Sequence, residues 1–72
     1  MLGTIEGFDE RRGDGWIRGD DGEIYYLHCI EIADGSRRID SGSRVSFARR
    51  PGLRGRDEGS DVQVLDAPER RT

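Results

Sequence analysis

No window of this chain repeats apolar residues at helical spacing over three turns, and its periodic runs are short and of period two. "GTIEGF", "GWIRG", "EIYYLHC", "RVSFAR" and "SDVQVL" follow one another along the chain, and eleven glycines among 72 residues punctuate it. These runs predict strands over residues 2–9, 14–19, 23–29, 44–50 and 60–66. The second and third are joined by "DDG", the strongest local hairpin signal in the sequence. "IEIADGSRRIDSGS" has room for one helical turn at Ile30–Ile32 before a loop, and "PGLRGRDEG", opened by Pro51, reads as a mobile surface loop. Five short strands without a helix predict an all-β fold, a small five-stranded antiparallel barrel, because closure removes the edges an open sheet would leave. Residues 1–66 are expected to form this one domain and residues 67–72, "APERRT", a flexible C-terminal tail.

Apolar residues make up 32% of the chain and aromatics 7%, so the core must be thin. Cys29 is the lone cysteine, which excludes an intramolecular disulfide and a four-cysteine zinc site, and a free thiol suits a reducing compartment. The expected role of Cys29 is a small buried apolar residue. No run is long enough for a membrane span or a signal peptide, so a cytoplasmic protein without a membrane partner is expected. His28 has no second histidine to share a metal, and Gly13 and Gly15 lack the Lys-Ser/Thr of a phosphate-binding loop. No set of nucleophile, base and orienting group stands out, so neither an enzyme nor a metal or cofactor is expected. The net charge of −3 opposes bulk attraction to nucleic acid but permits a local basic stripe. All twelve basic residues are arginine, which suits either a coding bias or the planar stacking and phosphate forks that arginine provides.

Strand alternation assigns the faces. Leu27 is the natural core residue of the third run, which turns Tyr25 inward with its hydroxyl at the barrel rim and turns Tyr26 and His28 outward. Ile17 is the core residue of the second run, which turns Trp16 outward beside Asp14 and, across the hairpin, toward Tyr26. Trp16 as a plug in the thin core is the competing placement. Ile5, Ile17, Leu27, Val45, Phe47 and Val62 are the expected interior.

The order "GTIEGFDERRGDGWI", "DDGEIYYLH", "IDSGSRVSF", "LRG", "DVQV" resembles the bacterial cold-shock domain, whose blocks run roughly GTVKWFN, KGFGFI, DVFVHF, L-x-x-G-x-x-V-x-F and A-x-N-V. The match extends from Gly3 to about Leu65, with a one-residue deletion near Asp34–Ser36 and a loop after Arg50 that does not align closely. The resemblance implies an OB-fold barrel that binds single-stranded RNA or DNA through aromatics of its second and third strands. It maps the first binding motif onto "RGDGWI", Arg12–Ile17, and the second onto "YYLHC", Tyr25–Cys29. The stacking residues it implies are Trp16, Tyr26 and His28, with Phe8 kept from the first-strand Lys-Trp-Phe. Four family positions lose their aromatic and become Gly7, Asp14, Cys29 and Ser36, and the first-strand lysine becomes Glu6. Arg12, Arg18, Arg37, Arg54 and Arg56 are the candidate phosphate contacts around this patch, or else part of an ordinary solvated face.

Each base stacked on an aromatic is worth about 1–3 kcal/mol. Loss of several platforms therefore removes roughly a hundredfold or more in affinity. The expected function is a weak, sequence-tolerant, monomeric single-strand binder that serves as an RNA chaperone or regulator of gene expression. The alternative is a protein-interaction module on a barrel whose nucleic-acid face has degraded.

Overall fold

The computed structural model describes residues 1–52 and 55–68. Strands β1 (Leu2–Asp9), β2 (Asp14–Gly19), β3 (Ile24–His28), β4 (Arg44–Arg50) and β5 (Glu58–Asp66) close into a barrel in the order β1-β2-β3-β5-β4. Three strands keep the bounds read from the sequence. β3 is shorter at both ends because Glu23 belongs to the preceding turn and Cys29 opens a 3-10 turn, Cys29–Glu31, close to the helical turn expected at Ile30–Ile32. β5 begins two residues earlier than expected, where Glu58 reaches Tyr26.

The ladders β1–β2, β2–β3, β1–β4 and β4–β5 are antiparallel. The closing contact between β3 and β5 is a parallel bridge, Tyr26 to Glu58, supported by the Tyr26 amide donating to the Asp57 carbonyl at 3.0 Å. An odd ring cannot alternate direction all the way round, so a five-stranded closed barrel must contain one parallel neighbour. The order and closure are consistent with an OB fold.

Both hairpin turns are fixed by aspartates. Asp9 accepts from the Arg11 and Arg12 amides in the β1–β2 turn. In the β2–β3 turn Asp21 accepts from the Glu23 amide and, at 2.6 Å, from the Tyr25 hydroxyl, while Gly22 takes φ +86°. The Tyr25 ring is thus buried and its hydroxyl anchored at the rim, as alternation predicts. Arg44 on β4 grips Asp20 with two nitrogens at 2.8 and 2.9 Å and ties the same turn to the far side of the barrel.

The interior holds all six residues expected there together with Tyr25 and Cys29. It also holds Ile32 and Ile39, which the segment between β3 and β4 turns inward. Ile32 is fastened by a bridge to Val62, and the Ala33 amide donates to the Val62 carbonyl at 2.8 Å. A chain with so few apolar residues fills its barrel by drawing on this irregular segment. β5 ends at Asp66, and Ala67 and Pro68 continue outside regular structure; residues 69–72 of the expected tail lie outside the described residues. Among the described residues no helix is long and apolar enough to cross a membrane.

β1 and β2 approach closely where Gly15 faces Phe8, past a register shift between Ile5 and Gly7. A Cβ on Gly15 would fall 2.1 Å from the Gly7 carbonyl oxygen, whereas one on Gly7 would meet nothing within 4 Å. Gly15→Ala is therefore expected to lower stability by roughly 1–3 kcal/mol through overpacking. Gly7→Ala is expected to be neutral or to stabilise by up to about 1 kcal/mol. Urea unfolding midpoints of the two variants check the contrast.

The turn also sets a dependence on pH. Asp20 is held below the usual carboxylate range by its hydrogen bonds from Arg44, and Asp21 by those from the Tyr25 hydroxyl and the Glu23 amide. A carboxyl whose folded pKa is depressed adds stability that is complete above its unfolded value, about 3.9, and is lost as pH falls through the folded value. Unfolding midpoints should therefore drop below about pH 4, and Asp20→Asn and Asp21→Asn should each make that drop shallower.

Candidate nucleic-acid interface

Burial of Ile17, Tyr25 and Leu27 turns the alternate residues of β2 and β3 to the outside. Opposite one another across the hairpin stand Asp14 and His28, Trp16 and Tyr26, and Arg18 and Ile24. Trp16 is 42% exposed and meets Tyr26 edge-on, with centroids 5.5 Å apart and planes at 72°. Such a pair contributes about 0.5–1.5 kcal/mol beyond its burial. This arrangement excludes the plug placement of Trp16.

Asp14 is the polar centre of the face. Its Oδ2 accepts from the Tyr26 hydroxyl at 3.0 Å and from Arg12 Nη2 at 3.1 Å. Burial, and then this bond to Asp14, raises the Tyr26 pKa above its ordinary value, so the hydroxyl stays protonated and donating. His28 is exposed, and its Nδ1 accepts from the Ile30 amide at 3.3 Å. A neutral ring so held carries its proton on Nε2 and offers a donor outward. Phe8, half-buried like Tyr26, differs from the other three candidate stacking residues in packing against the core cluster, and it lines an open groove between the β1–β2 turn and Trp16.

The candidate phosphate contacts divide by their partners. Arg12 pairs with Asp14, and Arg18 pairs with Glu6 at 3.0 Å. Both guanidinium groups are well exposed, and such pairs are worth at most about 1 kcal/mol, so a phosphate can compete for them. Arg56 lies over the Trp16 ring with its guanidinium carbon 5.6 Å from the centroid, a cation–π contact on the stacking surface itself. Arg37 is exposed and has no ion pair among the described residues. Its neighbour Arg38 reaches Glu10 at 3.6 Å and links that loop to the β1–β2 turn. Arg54 lies outside the described residues. One neighbour of Trp16 escaped the sequence reading as part of the site: Ile24, which alternation with Tyr26 and His28 would have placed there; it borders a shallow depression shared with Arg56 and with Glu6, the residue that replaces the family's first-strand lysine. Among the described residues no group of three or more His, Cys, Asp or Glu side chains could hold a metal ion.

No family model matches the chain. It is 35% identical to cold shock protein 2 of Lactiplantibacillus plantarum over 62 residues, 85% of this chain and 92% of that one. It is 31% identical to the cold shock protein CapB of Pseudomonas syringae pv. tomato over 66 residues, 90% of this chain and 94% of that one. The chain belongs to the cold shock protein family. Among solved structures, the Drosophila Unr fragment CSD456 matches with a TM-score of 0.72 at 25% identity, over 97% of this chain and 28% of that longer one. The cold shock family is one of binding proteins rather than enzymes.

Each departure of this cold shock protein from the family pattern has a distinct structural outcome. Gly7 leaves open space beside Trp16. Asp14 exchanges a stacking ring for a carboxylate that holds Tyr26 and Arg12. Cys29 turns into the core. Ser36 stays in its own turn, its hydroxyl donating to the Arg38 carbonyl and its amide to Asp34, both at 2.8 Å. Acrylamide is therefore expected to quench Trp16 readily in the native protein, and Arg56→Ala to increase the quenching by uncovering one ring face. A blue-shifted, quencher-resistant emission would contradict this placement.

Proposed function

We propose that this cold shock protein binds single-stranded RNA or DNA across the outer face of β2 and β3, with bases stacking on Trp16 and Tyr26 and with His28 at the edge. The observation that carries the reading is the Trp16–Tyr26 pair, solvent-facing and bordered by exposed arginines, on a chain of this family. Binding is weak, because Gly7, Asp14, Cys29 and Ser36 supply no ring where the family pattern has one. Arg12, Arg18, Arg37, Arg54 and Arg56 follow the backbone and set the salt dependence. The protein acts as a monomer in the cytoplasm, as an RNA chaperone or a regulator of gene expression. A second reading, a protein-interaction surface, is favoured by the carboxylates of Glu6 and Asp14 on the same face.

Titration with short single-stranded DNA and RNA, followed by backbone amide shifts at low and physiological salt, separates the two. Shifts are expected along β2 and β3 at low salt and should weaken as salt rises. Trp16→Ala is expected to cost about tenfold or more in affinity. Combined Glu6→Lys, Gly7→Trp and Asp14→Phe should raise affinity by restoring a cation and two rings, the tryptophan entering space that is open. Arg37→Ala should flatten the salt slope by about 0.7. Absence of shifts at low salt with millimolar oligonucleotide, in both the wild type and the triple variant, would favour the protein-interaction surface.

A further inference from the structure

Asp14 is oriented by two partners that use the same oxygen. Both the Tyr26 hydroxyl and Arg12 donate to Oδ2, and Oδ1 has no partner among the described residues. The side chain is only 16% exposed and lies on the Trp16 side of its strand. The free oxygen is therefore a preset acceptor at the border of the stacking surface, and an ionised carboxylate can only accept. A base lying flat on Trp16 or Tyr26 directs its edge, not its face, at such a group.

Resting on the stacking interface proposed above, we infer that Asp14 selects the stacked base: it favours bases that carry an exocyclic amine, namely cytosine, adenine and guanine, over uracil and thymine. The amines of cytosine, adenine and guanine donate hydrogen bonds from the base edge. Uracil and thymine have one N–H on that edge, set between two carbonyl oxygens, so a carboxylate that reaches it also meets like partial charge. Arg12 offsets the charge of Asp14 on the side of Oδ2, which leaves Oδ1 to act as a directional acceptor. The selection follows from the residue that replaces a ring in this chain: an aromatic at the same position would offer a surface but no acceptor.

The test is a Trp16 fluorescence titration with a short all-thymidine single strand and with the same strand carrying one central cytidine, adenosine or guanosine. The wild type is expected to bind the substituted strands roughly three- to tenfold tighter, the effect of one net hydrogen bond. Asp14→Asn is expected to reverse the order. Its carbonyl oxygen can keep the bonds from Tyr26 and Arg12, which puts an amide donor where Oδ1 was, facing the thymine carbonyls. A merely structural role for Asp14 would weaken all strands alike and would not invert their ranking. Equal or tighter wild-type binding of the all-thymidine strand overturns the inference and leaves the interface standing, as does an unchanged ranking in Asp14→Asn. Failure of the wild type to bind any of the strands removes the interface itself, and the inference with it.

Discussion

Ile17 lies opposite Tyr25 in the β2–β3 ladder, and both side chains are buried, with Leu27 beside them. The whole binding face depends on this register. Because side chains alternate with period two, a slip of one residue would bury Trp16 or Tyr26 and expose the core set. The Tyr25 hydroxyl bonded to Asp21 and the Arg44 grip on Asp20 fix the turn from which the register is counted. Packing in the core and hydrogen bonds at the rim thus jointly determine that Asp14, Trp16, Tyr26 and His28 share a surface.

That surface is electrostatically subdued for one whose candidate contacts are arginines. Arg12, Arg18, Arg38, Arg44, Arg49 and Arg50 all pair with carboxylates, and Arg50 pairs with two. At Arg12 and Arg18, the two candidate contacts among them, a phosphate must displace a carboxylate, and the pairing of the others weakens the long-range field. Arg11, Arg37 and Arg56 stand apart: the first two have no ion pair among the described residues, and the third rests on Trp16. The net negative charge of the chain and a cationic border around the aromatic pair are compatible because most of the charge is neutralised side chain by side chain.

The barrel is economical in apolar material. Close strand approach at Gly15 and inward isoleucines from the segment between β3 and β4 close an interior that the strands alone would leave underfilled. The parallel bridge at Tyr26 and Glu58 completes the ring and also braces the strand that carries the stacking tyrosine. Core closure and presentation of the face are therefore coupled through β3.

The five runs, the hairpin turn between the second and third of them and the inward residues Ile5, Ile17, Leu27, Val45, Phe47 and Val62 were legible in the sequence, because period-two alternation and turn chemistry are local properties. The same alternation made the outward placement of Trp16, Tyr26 and His28 legible. Other features depended on partners distant along the chain. Asp14 reads locally as a lost ring, and only folding sets its carboxylate against a tyrosine twelve residues away. Arg56 reaches Trp16 beside Ile24 on the outer surface, Ile32 and Ile39 enter the core from a segment with no periodicity, and the β1–β4 and β3–β5 pairings form only when the ring closes. The sequence by itself determined the strands and their faces, since both follow from the order of side chains along an extended backbone. Tertiary structure decided the charge pairing, the parallel closure and the chemistry of Asp14, since these depend on distances that exist only once the barrel has formed.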